Sequence, residues 1–151
     1  MTTRIALALL LLAAAPSAGE NTTLPSRVYT PVGWMGTEDR YLPGVVHREL
    51  GWFTQKQECL KAQAVAARTY VLRFLNANGM TAKIPSLGPS FQAWTSEYRP
   101  HDVSAVGATR GQVMTYQGLV LYGNFVSGAW PIDADGDEYA SSRYEYVKTW
   151  T

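Results

Sequence analysis

The chain has 151 residues, and its 13 Lys and Arg nearly balance its 12 Asp and Glu, for a net charge of +1. This balance excludes the basic surface that nucleic-acid-binding domains carry, so we expect no nucleic-acid partner. A hydrophobic content of 46% is typical of a globular protein. Cys59 has no second cysteine to pair with and lies in a helical pattern, which predicts a small buried apolar side chain. Because His47 and His101 lack the paired spacing of zinc ligands, the sequence shows no convincing set of metal ligands and leaves metal dependence open. We expect no cofactor.

Residues 1–18 have the pattern of a secretory signal peptide: Arg4, an apolar run over 5–15, then small residues and a proline. The run is shorter than the roughly 20 residues of a spanning helix, so we expect no stable membrane span after cleavage. The alternative is an uncleaved N-terminal anchor. Residues 19–26 form a polar linker, and 27–151 form one domain, which we expect outside the cytoplasm: in the periplasm, the cell wall or the medium.

The first elements of this domain are short. Residues 27–31 are predicted to form an edge strand, after which Gly33 and Gly36 mark a turn. Residues 41–50 form a predicted helix with a proline in its first turn and Leu42, Val45, Val46 and Leu50 on one face. Glu49 falls in the last turn of this helix, where a carboxylate is electrostatically unfavourable, an odd position for a purely structural glutamate.

Residues 54–78 form the strongest predicted helix. Thr54 and Gln57 have capping-box spacing at its start, Leu60, Ala64, Ala67, Val71, Phe74 and Asn78 alternate by four and three, and Gly79 suits the position after its end.

The second half of the chain has weaker patterns. We predict a short helix over 101–109 with Asp102 as N-cap, a hairpin of 111–116 and 119–125 around Gln117–Gly118, and a final strand over 144–150. The acidic stretch 133–137 does not complete an EF-hand, since position 12 falls on Tyr144, and is interpreted as a turn. One long helix with antiparallel strands indicates an α+β fold.

Four segments of the chain resemble a known family. Tyr41–Leu50 (YLPGVVHREL) and Leu60–Tyr70 (LKAQAVAARTY) resemble two signature blocks of the stage II sporulation protein D (SpoIID/LytB) family, and 108–116 and 124–128 resemble later segments. The family usually has histidine where Val126 stands, and the chain ends soon after Trp150. Both departures predict an altered or truncated end of the substrate cleft.

The resemblance implies a peptidoglycan lytic transglycosylase. Such an enzyme cleaves the bond between N-acetylmuramic acid and N-acetylglucosamine in peptide-stripped glycan strands and leaves a 1,6-anhydro ring. The glutamate of the first block is the catalytic residue in this family, and here it is Glu49. Hydrolases use two carboxylates. A lytic transglycosylase needs one, because the nucleophile is the C6 hydroxyl of the substrate and one group can serve as acid and then base.

Two explanations remain open for most candidate residues. Lys61 and Arg68, seven apart on one helix face, either bind substrate or pair with Glu58 or Asp102. Thr109, Tyr122 and Ser127 lie in family-like segments and are candidate substrate-binding residues. Trp52, Trp94 and Trp130 are either sugar-stacking platforms or packing residues. Glu49 itself has the alternative of a solvated side chain at a helix end.

The predicted partners are peptidoglycan glycan strands and a cell-wall amidase. The amidase enters through a rival function, because proteins resembling this family have been described as amidase enhancers, which bind glycan without cleaving it. An enhancer needs no acid, so Glu49 discriminates between the two functions. A second rival is a degenerate member that folds but lacks a complete cleft.

Overall fold

The computed structural model describes residues 20–51, 54–88 and 90–123. The predicted signal peptide, the stretch 133–137, the strand over 144–150, Trp52, Trp130 and Ser127 lie outside these ranges. None of the described helices is long and apolar enough to cross a bilayer.

The N-terminal part of the domain is a β-hairpin. Strand β1 (Arg27–Thr30) pairs antiparallel with β2 (Gly33–Gly36), and Thr30 faces Gly33 across the turn. The predicted edge strand is thus confirmed. The turn, however, precedes Gly33, whose φ of +105° suits a residue without Cβ, and the segment that follows is a second strand.

A helical segment follows the hairpin directly and is wider at both ends than an α-helix. It comprises a π-helical turn (Thr37–Tyr41), the α-helix α1 (Leu42–Val46) and a second π-helical turn (His47–Gly51). The predicted helix over 41–50 is therefore present and begins four residues earlier, with Pro43 in the first turn of α1 as expected. Leu42, Val45 and Val46 are fully buried.

The long helix α2 (Gln57–Asn78) lies at the centre of the domain and packs against both α1 and α3 (Pro100–Ala108). Its predicted C-terminus is confirmed, since Gly79 has a φ of +104° and donates its N–H to the Leu75 carbonyl. The predicted capping box is wrong: α2 begins three residues after Thr54, which instead accepts the Lys56 N–H in a turn. Gln57 reaches across to donate to the carbonyl of His101.

The core is built from the apolar faces of these helices and the inward face of the hairpin. Leu60, Ala64, Ala67 and Val71 of α2 are fully buried beside α1. The predicted burial of Cys59 is wrong, because this position of the first turn of α2 faces solvent while its neighbour Leu60 faces inward.

The last described element is a hairpin of β3 (Thr115–Tyr116) and β4 (Leu119–Val120). Its turn lies at Gln117–Gly118 as predicted, and both residues have positive φ, as a type I′ turn requires. The strands are shorter than predicted. Thr69 of α2 accepts the N–H of Met114 through its hydroxyl, which attaches this hairpin to the long helix. Mixed helices and small antiparallel sheets confirm the α+β fold.

Candidate functional site

Glu49 lies in the middle of the π-helical turn His47–Gly51, as the sequence predicted for the end of this helix. Its carboxylate is partly buried, and Oε1 accepts the backbone N–H of Ala93 at 2.8 Å. Ala93 belongs to an irregular loop that crosses over the helical segment, 44 residues further along the chain. The glutamate is therefore held by the protein and does not extend freely into solvent.

The loop that carries Ala93 is fixed by its two neighbours. The buried Tyr41 hydroxyl donates to Gln92 Oε1 at 2.8 Å, and Gln92 Nε2 donates to the Ala67 carbonyl of α2 at 3.1 Å. Trp94 donates its indole N–H to the Arg40 carbonyl at 3.3 Å. These bonds fix the position of the Ala93 N–H, and through it the position of the Glu49 carboxylate.

Tyr41 gives this corner of the site a neutral, buried phenol. Burial raises the pKa of Tyr41 far above its ordinary value, and Tyr70 and the Glu49 carboxylate raise it further. The phenol therefore keeps its proton and serves as a hydrogen-bond donor to Gln92. Tyr70 in turn contacts Phe91 edge to face, which adds an aromatic wall to the same loop.

A second buried polar pair lies at the start of the same π-helical turn. His47 Nδ1 and Asp102 Oδ2 are 2.8 Å apart, and both side chains are almost completely buried. Asp102 was predicted as the N-cap of the short helix. That assignment is wrong by three residues: Arg99 is the N-cap, and Asp102 reaches back to accept its N–H.

Arg68 is buried, and its guanidinium donates hydrogen bonds to one carboxylate and three backbone carbonyls. Its Nε and Nη2 donate to the two carboxylate oxygens of Glu38, each at 2.9 Å. Its remaining N–H groups donate to backbone carbonyls of Ala64, Val106 and Gln112. Because these N–H groups already donate to protein acceptors, we expect Arg68 to stabilise the fold. Its acidic partner is Glu38, which the sequence did not indicate, and neither Glu58 nor Asp102.

The other predicted site residues that the structure describes have contacts of their own. Lys61 is partly exposed and pairs with Glu58 one helical turn away at 2.7 Å, the structural alternative considered from the sequence. Thr109 is buried at the end of α3 and donates to the Ala105 carbonyl. Tyr122 is half exposed, with the guanidinium of Arg73 over its ring. Substrate binding by these residues stays a prediction, as it does for Ser127.

No group of three or more His, Cys, Asp or Glu side chains with metal-binding geometry occurs among the described residues. His47 and Asp102 are close, but they bond to each other.

Comparison with known proteins identifies the family. The model of the family described as stage II sporulation protein (SpoIID) matches residues 27–116, more than half of the chain. The chain belongs to the SpoIID family. The family is described as one of stage II sporulation proteins.

Two curated relatives carry the same family name. The stage II sporulation protein D of Bacillus amyloliquefaciens is 30% identical over 130 residues, and that of Bacillus subtilis (strain 168) is 27% identical over 128 residues. Each match covers 74% of this chain and 37% of the relative. The chain thus spans little more than a third of the length of these relatives. No solved structure matches.

The SpoIID match includes Glu49, Lys61, Arg68 and Thr109, whereas Tyr122 and Ser127 lie beyond its end. It also includes three contributors that sequence reasoning missed: Gln92, Ala93 and the pairing of His47 with Asp102. An amide in an irregular loop gives no periodic signal. His47 and Asp102 are 55 positions apart, and no feature of a single sequence indicates that they pair.

Proposed function

We propose that this chain is a peptidoglycan lytic transglycosylase in which Glu49 is the single acid and base. It would cleave the MurNAc–GlcNAc bond of peptide-stripped glycan strands and leave 1,6-anhydro-MurNAc ends. The observation that carries the proposal is the bond from the Ala93 N–H to Glu49 Oε1. It holds a partly buried carboxylate in one orientation at the end of a helix, inside the family's first signature block.

The bond also supports different tasks for the two carboxylate oxygens. Oε1 accepts the Ala93 N–H in both protonation states, since a protonated carboxyl keeps a carbonyl oxygen as acceptor. The proton then belongs on Oε2, which has no hydrogen-bond partner among the described residues. In the first step Oε2 donates this proton to the glycosidic oxygen. In the second, the carboxylate takes the proton of the C6 hydroxyl as that oxygen closes onto C1, so the enzyme ends protonated as it began.

The test is a Glu49→Gln variant compared with wild type on glycan strands stripped of stem peptides. The glutamine keeps an oxygen for the Ala93 N–H but has no proton to give, so the fold is retained while acid catalysis is lost. Loss of general acid–base catalysis lowers rates by about 10²- to 10⁴-fold. Mass spectrometry of the digest detects the anhydro-muramic ends. Glu58→Gln, which removes an exposed carboxylate, is the matched control and should leave the yield unchanged.

A wild type that gives no anhydro products contradicts the proposal, as does a Glu49→Gln variant with full activity. Retained strand binding by an inactive wild type would instead support the rival function, a glycan-binding module that stimulates an amidase. We expect export of the mature chain to the cell wall, where glycan strands would be available to either function.

A further inference from the structure

His47 precedes Glu49 by two residues and forms a buried pair with Asp102. This pair takes no part in the chemistry described above. His47 is 4% exposed and Asp102 is completely buried. A buried carboxylate is unfavourable unless it is paired and hydrogen-bonded, and Asp102 Oδ2 has two donors at 2.8 Å, His47 Nδ1 and the Arg99 N–H. Because the Arg99 bond caps α3, this oxygen joins the π-helical turn to the start of α3.

The other end of the same turn meets the same pair. A Cβ on Gly51 would lie 2.7 Å from Asp102 Oδ1 and 2.8 Å from His47 Nδ1, closer than real side chains approach. The backbone at Gly51 is therefore pressed against the dyad. Both ends of the five-residue turn contact one carboxylate, and Glu49 lies between them. Wide helical turns of this kind are marginal in isolation and occur often at functional sites.

We propose that His47 and Asp102 are positioning residues that hold the π-helical turn so that Glu49 Oε1 meets the Ala93 N–H. His47 Nδ1 carries the hydrogen, because its partner is an acceptor, and the dyad acts on the turn without touching substrate. The role of this His47–Asp102 pair in catalysis rests on the proposed function of Glu49. The effect of the pair on the geometry of Glu49 does not depend on that function.

The first experiment therefore reads geometry alone. In ¹⁵N-labelled protein, hydrogen exchange of the Ala93 amide reports the bond to Glu49. We expect His47→Ala to raise the exchange rate of this amide by about tenfold or more, because loss of the hydrogen bond to Glu49 removes its protection from exchange with solvent. His47→Asn restores slow exchange, because its Nδ2 takes the place of the Nδ1 donor. Glu58→Gln is the control, because Glu58 is exposed and pairs with Lys61 in the first turns of α2.

Asp102 allows a second matched comparison. Asp102→Asn keeps an oxygen to cap α3 but removes the charge beside His47, whereas Asp102→Ala removes both. Faster exchange at Ala93 is expected in Asp102→Ala and to a smaller extent in Asp102→Asn, measured at a temperature where both are folded by circular dichroism. Unchanged exchange in His47→Ala and Asp102→Ala would overturn the proposal, as would equal exchange in His47→Asn and His47→Ala.

The second experiment measures rates on stripped glycan strands. A displacement of about 1 Å at a reacting group lowers kcat by about 100-fold, so His47→Ala should lower kcat with KM changed by less than about threefold. His47→Asn should recover most of the lost rate. A folded His47→Ala variant with the kcat of wild type would contradict a positioning role. An inactive wild type with the expected exchange pattern would refute the proposed reaction and leave the positioning intact.

Discussion

Arg68 and Glu38 face each other fork to fork, with Nε–Oε1 and Nη2–Oε2 distances of 2.9 Å, although 30 residues separate them in the sequence. The guanidinium is 1% exposed. The pair joins α2 to the helical segment that carries Glu49, so its removal tests how that segment is attached.

Glu38→Gln should destabilise the fold by about 3–5 kcal/mol, because it leaves a buried guanidinium with its charge uncompensated. Urea denaturation followed by circular dichroism measures this change. Glu58→Gln breaks the exposed pair with Lys61, whose loss is worth about 0–1 kcal/mol. Equal midpoints for the two variants would show that the buried pair is not the main attachment.

Gly44 is a second point of attachment, where α1 touches the loop beyond Ala93. A Cβ there would overlap both the Thr95 carbonyl oxygen and the indole of Trp94. Gly44→Ala should therefore destabilise the protein by about 1–3 kcal/mol through overpacking. Gly107→Ala in α3 is the matched control: its Cβ meets nothing within 4 Å, and alanine favours a helix by up to about 1 kcal/mol. Thermal unfolding should move in opposite directions for the two variants, and shifts of the same sign would contradict the packing argument.

Stability should fall at alkaline pH because of Tyr41. Burial raises the pKa of its phenol in the folded state, while the unfolded chain loses the proton near pH 10. The unfolded state thus binds fewer protons above that pH, and stability that is complete below about pH 10 declines with further rise, by up to about 1.4 kcal/mol per pH unit. Chemical denaturation between pH 8 and 11 measures the slope.

Tyr41→Phe removes the titrating group and should flatten this alkaline slope, even though the variant starts from a lower stability. Tyr116→Phe, at an exposed tyrosine, should leave the slope as it is in wild type. An unchanged slope in Tyr41→Phe would assign the alkaline transition to other groups.

Cys59 should react with a maleimide in the native protein, because its side chain is exposed in the first turn of α2. Since the chain has one cysteine, mass spectrometry should show a single adduct per chain without denaturant. Cys59→Ser should show no adduct and an unchanged melting temperature. A thiol that reacts only in urea would agree with the burial predicted from the sequence and contradict the structure.

The sequence predicted what is periodic and local. The alternation of Leu60, Ala64, Ala67 and Val71 located α2, Gly79 marked its end, and Gln117–Gly118 marked the second hairpin turn. It also predicted Glu49 at the end of its helix. These features depend on residue spacing and on local backbone preferences, and both can be determined from a single sequence.

The errors concern what a residue meets across the fold. Cys59 and Leu60 are adjacent and both apolar, and the helix face that each occupies decides which one is buried. Asp102 has the chemistry of an N-cap, but it lies three residues further into the helix, where it accepts the Arg99 N–H and contacts His47. The site depends on the Ala93 amide, and since every residue but proline has that group, no sequence pattern could single it out.

The contacts that organise Glu49 all join distant parts of the chain: Glu49 to Ala93 over 44 positions, Tyr41 to Gln92 over 51, and His47 to Asp102 over 55. Contacts of long sequence separation require large loops to close and form slowly compared with helix turns. The helices can therefore form while Glu49 is still an ordinary solvated side chain. The chain acquires an organised carboxylate only when folding is complete, so partly folded molecules would carry the residue without the geometry for chemistry.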